Sequence, residues 1–163
     1  TDTQKEGYYN SHADEYVLSE SIGKYIIAKI PVKTKGSDNF FEHWRRGNNS
    51  EIEWFCKSNG TYHDLDMNTW KPVGQLLSFV PSNLLSESNL GSDKNFRKKD
   101  KEFEYFIKVY YFYKKGSKPP FDYIEAKIVK ILLNERKASL LKQKKQQLFD
   151  KEAGSSKVKN YLS

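Results

Sequence analysis

FEYFIKVYYFY, Phe103 to Tyr113, is the densest run of strand-forming residues in the chain. β-branched and aromatic side chains suit a pleated, half-buried surface. Alternation puts Phe103, Tyr105, Ile107, Val109 and Tyr111 on one face and Phe106, Lys108, Tyr110 and Phe112 on the other. Lys108 interrupts the apolar character of the second face. A strand apolar on both sides is usually central and covered above and below. The stretch therefore predicts an α+β domain in which helices cover a sheet completed by this strand.

Downstream, the turn KKGSKPP leads into a long basic helix, predicted from Phe121 to about Lys151. Pro119-Pro120 fits a helix start, where the missing amide is not needed. Apolar residues follow at Phe121, Ile124, Ile128, Ile131, Ala138, Leu141 and Leu148, in steps of three and four interrupted by Glu135 and Lys145. The first half, which also carries Leu132 and Leu133, predicts a wide buried stripe packing back near the main strand; the second half predicts a narrow one. From Gly154 a frayed tail is expected unless Val158, Tyr161 and Leu162 dock.

Upstream, Thr1 or Asp2 caps a short helix over about 3–13. Gly23 to Ile30 reads as a strand with Tyr25 and Ile27 on one face and Ile26, Ala28 and Ile30 on the other, a natural partner for Phe103 to Tyr113. Asp38 is placed as the cap of a helix over Asn39 to Arg46, ended by Gly47, and Ser50 as the cap of a second over Glu51 to Ser58. Tyr62 to Asp66 and Trp70 to Val73 read as extended, Gly74 to Val80 as a helical turn or two, and Ser82 to Gly91 as a further short helix. Asp93 to Lys101, DKNFRKKDK, is expected to be a charged loop or a hairpin approach to the main strand. The resulting organisation is a lead-in helix and linker at 1–18, the sheet domain at 19–116, the basic helix at 117–153 and a tail at 154–163.

Charge is unevenly placed. Residues 1–93 carry nine Lys/Arg against thirteen Asp/Glu, and residues 94–163 carry nineteen against eight, within a total of +7. The basic half would attract acidic partners, an anionic membrane surface or nucleic acid. The plainer reading is a solvated lysine-rich helix. Tyrosines and lysines interleave over 105–115, as in surfaces that stack bases and hold phosphates, but an aromatic core strand explains the same pattern.

Other chemistry is sparse in the sequence. The lone Cys56 excludes an internal disulfide and fits a buried small hydrophobe on a helix face. His12, His43 and His63 lack metal-ligand spacing, and no metal or cofactor is expected. His63-Asp64-Leu65-Asp66 is the best acid–base patch, with local loop hydrogen bonding as its simpler explanation. No phosphate-binding loop, dinucleotide fingerprint or nucleophile elbow is present. Thr1 in place of Met points to a longer precursor.

The order helix, strand, paired helices, Trp-bearing extended piece and final aromatic strand resembles a parvulin-type prolyl isomerase domain with its lead-in helix. Asp2, Tyr8, Tyr9, Asn10 and Tyr16 resemble the segment that precedes such domains in SurA-like periplasmic foldases. Ile22 to Pro31 resembles their first strand, Asn39 to Asn59 the paired helices, Trp70 to Leu77 their G-W-F region, and Glu104 to Ile107 the G-Y-H-I of the last strand. Leu18-Ser19-Glu20, the Trp70 region, the KGSKPP turn and Tyr123 to Lys142 are similar to the prolyl-isomerase-like envelope proteins of Bacteroidetes. The resemblance implies an antiparallel sheet and a chaperone or foldase module of a bacterial periplasm or cell envelope, with a lipid anchor one way to hold the full-length protein there. It implies unfolded or extended polypeptide clients, held in a groove near Tyr25, Trp70, Phe79 and Phe106. The two histidines of parvulin sites are replaced by Tyr25 and Phe106, so no catalytic residue is assigned. An active peptidyl-prolyl isomerase and a basic nucleic-acid-binding domain are the alternative readings, the latter the less favoured.

Overall fold

The computed structural model describes the backbone of residues 1–162 and the side chains of residues 1–155. The predicted docking of Val158, Tyr161 and Leu162 lies outside the described residues. The chain is α+β and divides into two compact units, Val17–Pro119 and a helical unit made of Thr1–Tyr16 and Pro120–Ser163.

The first unit is built on a five-stranded antiparallel sheet: β1 (Ile22–Pro31), β2 (Tyr62–Asp64), β3 (Lys71–Pro72), β4 (Lys94–Lys99) and β5 (Phe103–Tyr113). The order is β2-β1-β5-β4, and β3 pairs with the other end of β1. β5 is thus central, flanked by β1 and β4, as its two apolar faces require. One face buries Tyr25, Ile27, Tyr105, Ile107 and Val109 with Val73, Leu76, Val80, Leu85 and Leu90. These last residues come from α4 (Val73–Ser78) and the segment after it, where the predicted helix of 82–91 is reduced to a 3-10 turn at Glu87–Asn89.

The other face buries Ile26, Ala28, Ile30 and Phe106 against Phe40, Trp44, Ile52, Phe55 and Cys56 of α2 (Ser37–Arg46) and α3 (Asn49–Asn59). Phe40 stacks on Phe55 at 4.2 Å between ring centroids and meets Phe106 edge-on at 4.8 Å. The caps differ from those predicted: α2 starts after Gly36 and α3 after Asn48, so neither Asp38 nor Ser50 is the cap. Asp38 instead accepts a hydrogen bond from Arg97, whose other partner is the buried Glu104. Gly47 ends α2 at φ +72°, a conformation open to glycine at little cost. Lys108, on the same face, lies toward the end of α2, where its ammonium donates to the Arg45 carbonyl at 3.2 Å and favours the negative end of the helix.

A β-bulge changes the alternation near the end of β5. Tyr25 pairs with Val109 but Lys24 pairs with Tyr111, which leaves Tyr110 as the extra residue. Phe112 consequently packs with the Val109 cluster rather than with that of Phe106, against the sequence alternation. Gly23 sits beside the bulge, where a Cβ would lie 2.9 Å from the Tyr111 carbonyl oxygen. The charged segment before β5 is a hairpin arm rather than a loop: six of its residues form strand β4, paired along β5 from Lys94↔Val109 to Lys99↔Glu104.

In the helical unit, α1 (Asp2–His12) opens with a full capping box between Thr1 and Gln4. α5 is Phe121–Leu162, and it stays helical through Gly154 where a frayed tail is predicted. The two helices are joined by a Lys5–Glu125 ion pair at 2.6 Å and by an edge-on contact of Tyr9 with Phe121 at 5.4 Å; Asp2, then Glu125, holds the Lys5 ammonium in its charged form. Ile124 and Ile128 of α5 are buried and Ile131 is half-buried. Among the described residues no helix is long and apolar enough to cross a membrane.

Candidate functional site

Lys71 sets the local geometry around Trp70. It is buried, and its ammonium donates to the Tyr25 carbonyl at 2.8 Å, to the Asp64 carboxylate at 2.9 Å and to the Asp66 carbonyl at 2.9 Å. It also lies 4.4 Å from the centre of the Tyr25 ring. A buried ammonium persists only when its donors are satisfied, and here three acceptors share it. The loop from β2 to β3 is tightened further by Asp66, which accepts from the Thr69 hydroxyl at 2.6 Å and from the amides of Asn68 and Thr69. The Thr69 hydroxyl, then the Asn68 amide, hold the Asp66 carboxyl below its ordinary range. His63-Asp64-Leu65-Asp66 therefore serves as loop scaffolding, with both carboxylates engaged and His63 exposed on β2.

This scaffold holds Trp70 one residue before β3. Since Gly23 pairs with Lys71, Trp70 falls level with Lys24, which in turn pairs with Tyr111. The Lys24 ammonium lies 4.7 Å from the Trp70 ring centre; Tyr111 is 6.1 Å away and Tyr113 5.5 Å away in an edge-on arrangement. Tyr111 is 54% exposed, and Trp70 and Tyr113 are half-buried. The bulge at Tyr110 thus leaves a row of aromatics interleaved with a cation at the surface. Such a surface offers large apolar area with few rotatable bonds, plus a cation for the negative edge of a ligand carbonyl.

The other predicted groove residues separate. Tyr25 is 2% exposed in the α4-side cluster, where its hydroxyl donates to the Pro72 carbonyl at 2.9 Å; burial raises its pKa well above the ordinary tyrosine range. Phe106 is fully buried on the opposite face of the sheet. Phe79 packs against the Tyr25 cluster and stacks on Tyr62 of edge strand β2 at 4.3 Å. The four residues do not line one groove, because Tyr25 and Phe106 lie on opposite faces of the sheet and each face is covered by its own helices. Tyr111 and Tyr113 complete the Trp70 cluster instead. The aromatic run itself was the available signal, but strict alternation assigns Tyr111 to the Val109 face and only the bulge releases it.

Cys56 is buried, and burial pushes its thiol up to about 12. Among the described residues no group of three or more His, Cys, Asp and Glu side chains is placed to hold a metal ion. In comparisons with protein-family models, curated proteins and solved structures, nothing matches this chain.

Proposed function

We propose that the chain is a chaperone module of a bacterial cell envelope, related to the parvulin-type foldases, that holds extended, aromatic-rich segments of unfolded client proteins. The observation that carries this reading is the surface row of Trp70, Lys24, Tyr111 and Tyr113 on a braced loop. An extended peptide presents side chains alternately, so aromatic or aliphatic residues two apart rest on such a row while its carbonyls meet Lys24. The order of elements on which the family resemblance rests is also the order of the fold, from the lead-in helix through the paired helices to the central aromatic strand. Residues at the two histidine positions of that family are sealed in separate clusters here, so this reading places no prolyl ring against Tyr25 or Phe106.

The test is isothermal titration with peptides from unfolded outer-membrane proteins. Binding at about 1–10 μM is expected, a range natural for a client-holding surface at about −7 to −8 kcal/mol. Trp70→Ala combined with Tyr111→Ala is expected to weaken it at least tenfold while the circular dichroism spectrum holds. Equal affinity for the double variant would overturn the assignment, and a steep loss of affinity for peptide and oligonucleotide alike with rising salt would favour the nucleic-acid reading instead.

A further inference from the structure

Helix α5 carries a face that the reading above leaves unused. Lys130, Lys137, Lys144 and Lys151 recur every seven residues, and Leu133 and Leu140 recur at the same period, three residues after Lys130 and Lys137. At about 100° per residue these side chains share one side of the helix, with successive lysines about 10.5 Å apart along the axis. All four lysines are exposed; Leu133 is 52% exposed and Leu140 55%. Leu141 and Leu148 border the same arc, at 61% each. Beside the start of this face, and sharing Leu133 with it, lies a groove of about 940 Å³ between α1 and α5, lined by Gly7 and Tyr8 on one side and Val129, Leu133, Glu135 and Arg136 on the other. Gly7 leaves room there, since a Cβ added to it would meet nothing within 4 Å.

We infer that this groove and the Lys–Leu face beyond it form a docking surface for an acidic, leucine-bearing helix of a partner protein. The spacing is that of a coiled-coil seam, with leucine at one core position and lysine at the other. Charge selects the partner. Residues 130–151 hold seven Lys/Arg against two Asp/Glu, so a second copy of α5 laid in parallel would set lysine against lysine in successive layers. Laid antiparallel, it would bring almost no carboxylates to meet them. A lipid surface suits the face equally poorly, because the lysines lie within the leucine arc rather than along its borders. A helix with leucine in its core positions and glutamate beside them buries the leucines and pairs every lysine, whose stems cover the apolar seam while the ammonium reaches the rim.

The probe is a synthetic 28-residue peptide of four heptads with leucine at both core positions and glutamate at both flanking positions, labelled for fluorescence anisotropy and titrated with the full chain. Saturable binding is expected. Lys137→Glu with Lys144→Glu, both exposed and so compatible with folding, should weaken it at least tenfold, and a peptide with lysine in the flanking positions should recover binding to that variant. Leu133→Ser with Leu140→Ser should weaken both pairings. Trp70→Ala should alter neither, which keeps this surface distinct from client binding. The inference falls if no peptide binds, if charge reversal leaves affinity unchanged, if sedimentation shows the chain pairing with itself through Leu133 and Leu140, or if vesicles with a quarter anionic lipid compete the peptide off.

Discussion

At the scale of single residues, the core on the α2–α3 side turns on Phe106, which meets Phe40, Phe41 and Trp44. Phe106→Ala removes a fully buried ring from among other rings and is expected to cost about 3–5 kcal/mol in urea denaturation. A binding residue at this position would instead show an altered affinity at unchanged stability. Trp44 beside it is buried with an indole N–H that finds no hydrogen-bond partner among the described residues, so replacing the indole with phenylalanine removes an unsatisfied donor along with apolar area. Cys56 is expected to resist iodoacetamide at pH 8, because its thiol is both enclosed and protonated there, and to react fully in denaturant. Lys71→Ala leaves Asp64 without its cation and frees the loop before Trp70; about 3 kcal/mol of lost stability and a weakened client affinity are expected together.

Among the elements, the β4–β5 hairpin depends on its turn. Asp100 accepts from the amides of Glu102 and Phe103, both at 2.8 Å, and from the Tyr105 hydroxyl at 2.9 Å. The Phe103 and Glu102 amides hold its carboxyl below the ordinary carboxylate range. A carboxyl whose folded value is depressed stabilises fully above its unfolded value, and loses that contribution as pH falls through the folded one. Exchange of the Glu102 and Phe103 amides is therefore expected to accelerate below about pH 4 in the wild type. In Asp100→Ala it should be fast at every pH. This hairpin also shows why β4 was hard to read from sequence. Lys94 to Lys99 offers one large apolar residue, Phe96, and its lysines are what an edge strand carries to discourage further pairing. Its strand character comes from pairing with β5 rather than from its own residues. β5 and α5 were legible because nine aromatic and β-branched residues among eleven, and a proline-led helix repeat, are strong local patterns. The candidate site was legible only at Trp70. Tyr25 and Phe106 were placed by likeness to a histidine pair, while their own apolar surroundings already favoured the core.

For the whole molecule, two units with their own packing imply that the chain crosses between them twice, at Tyr16–Val17 and at Pro119–Pro120. Inside the sheet unit these ends are fastened together: the Leu18 amide donates to the Ser117 carbonyl at 3.0 Å and the Gly116 amide to the Leu18 carbonyl at 2.8 Å. Ser21 adds a second tie, accepting from the Lys115 amide at 2.8 Å while its hydroxyl donates to Glu87. A fragment spanning 17–119 is expected to fold cooperatively, with a single denaturation midpoint and a dispersed amide spectrum. The pairing of α1 with α5 joins opposite ends of the sequence, and no local periodicity announces such a partnership. The bulge at Tyr110 has a consequence for how this surface could diversify. Which aromatic faces outward is set by the count of residues along β5 rather than by their kinds, so losing one residue near Tyr110 would turn Phe112 and Tyr111 over together. Client preference could then change by a single deletion with the composition of the strand almost untouched, and two chains with nearly the same aromatic run could display opposite faces.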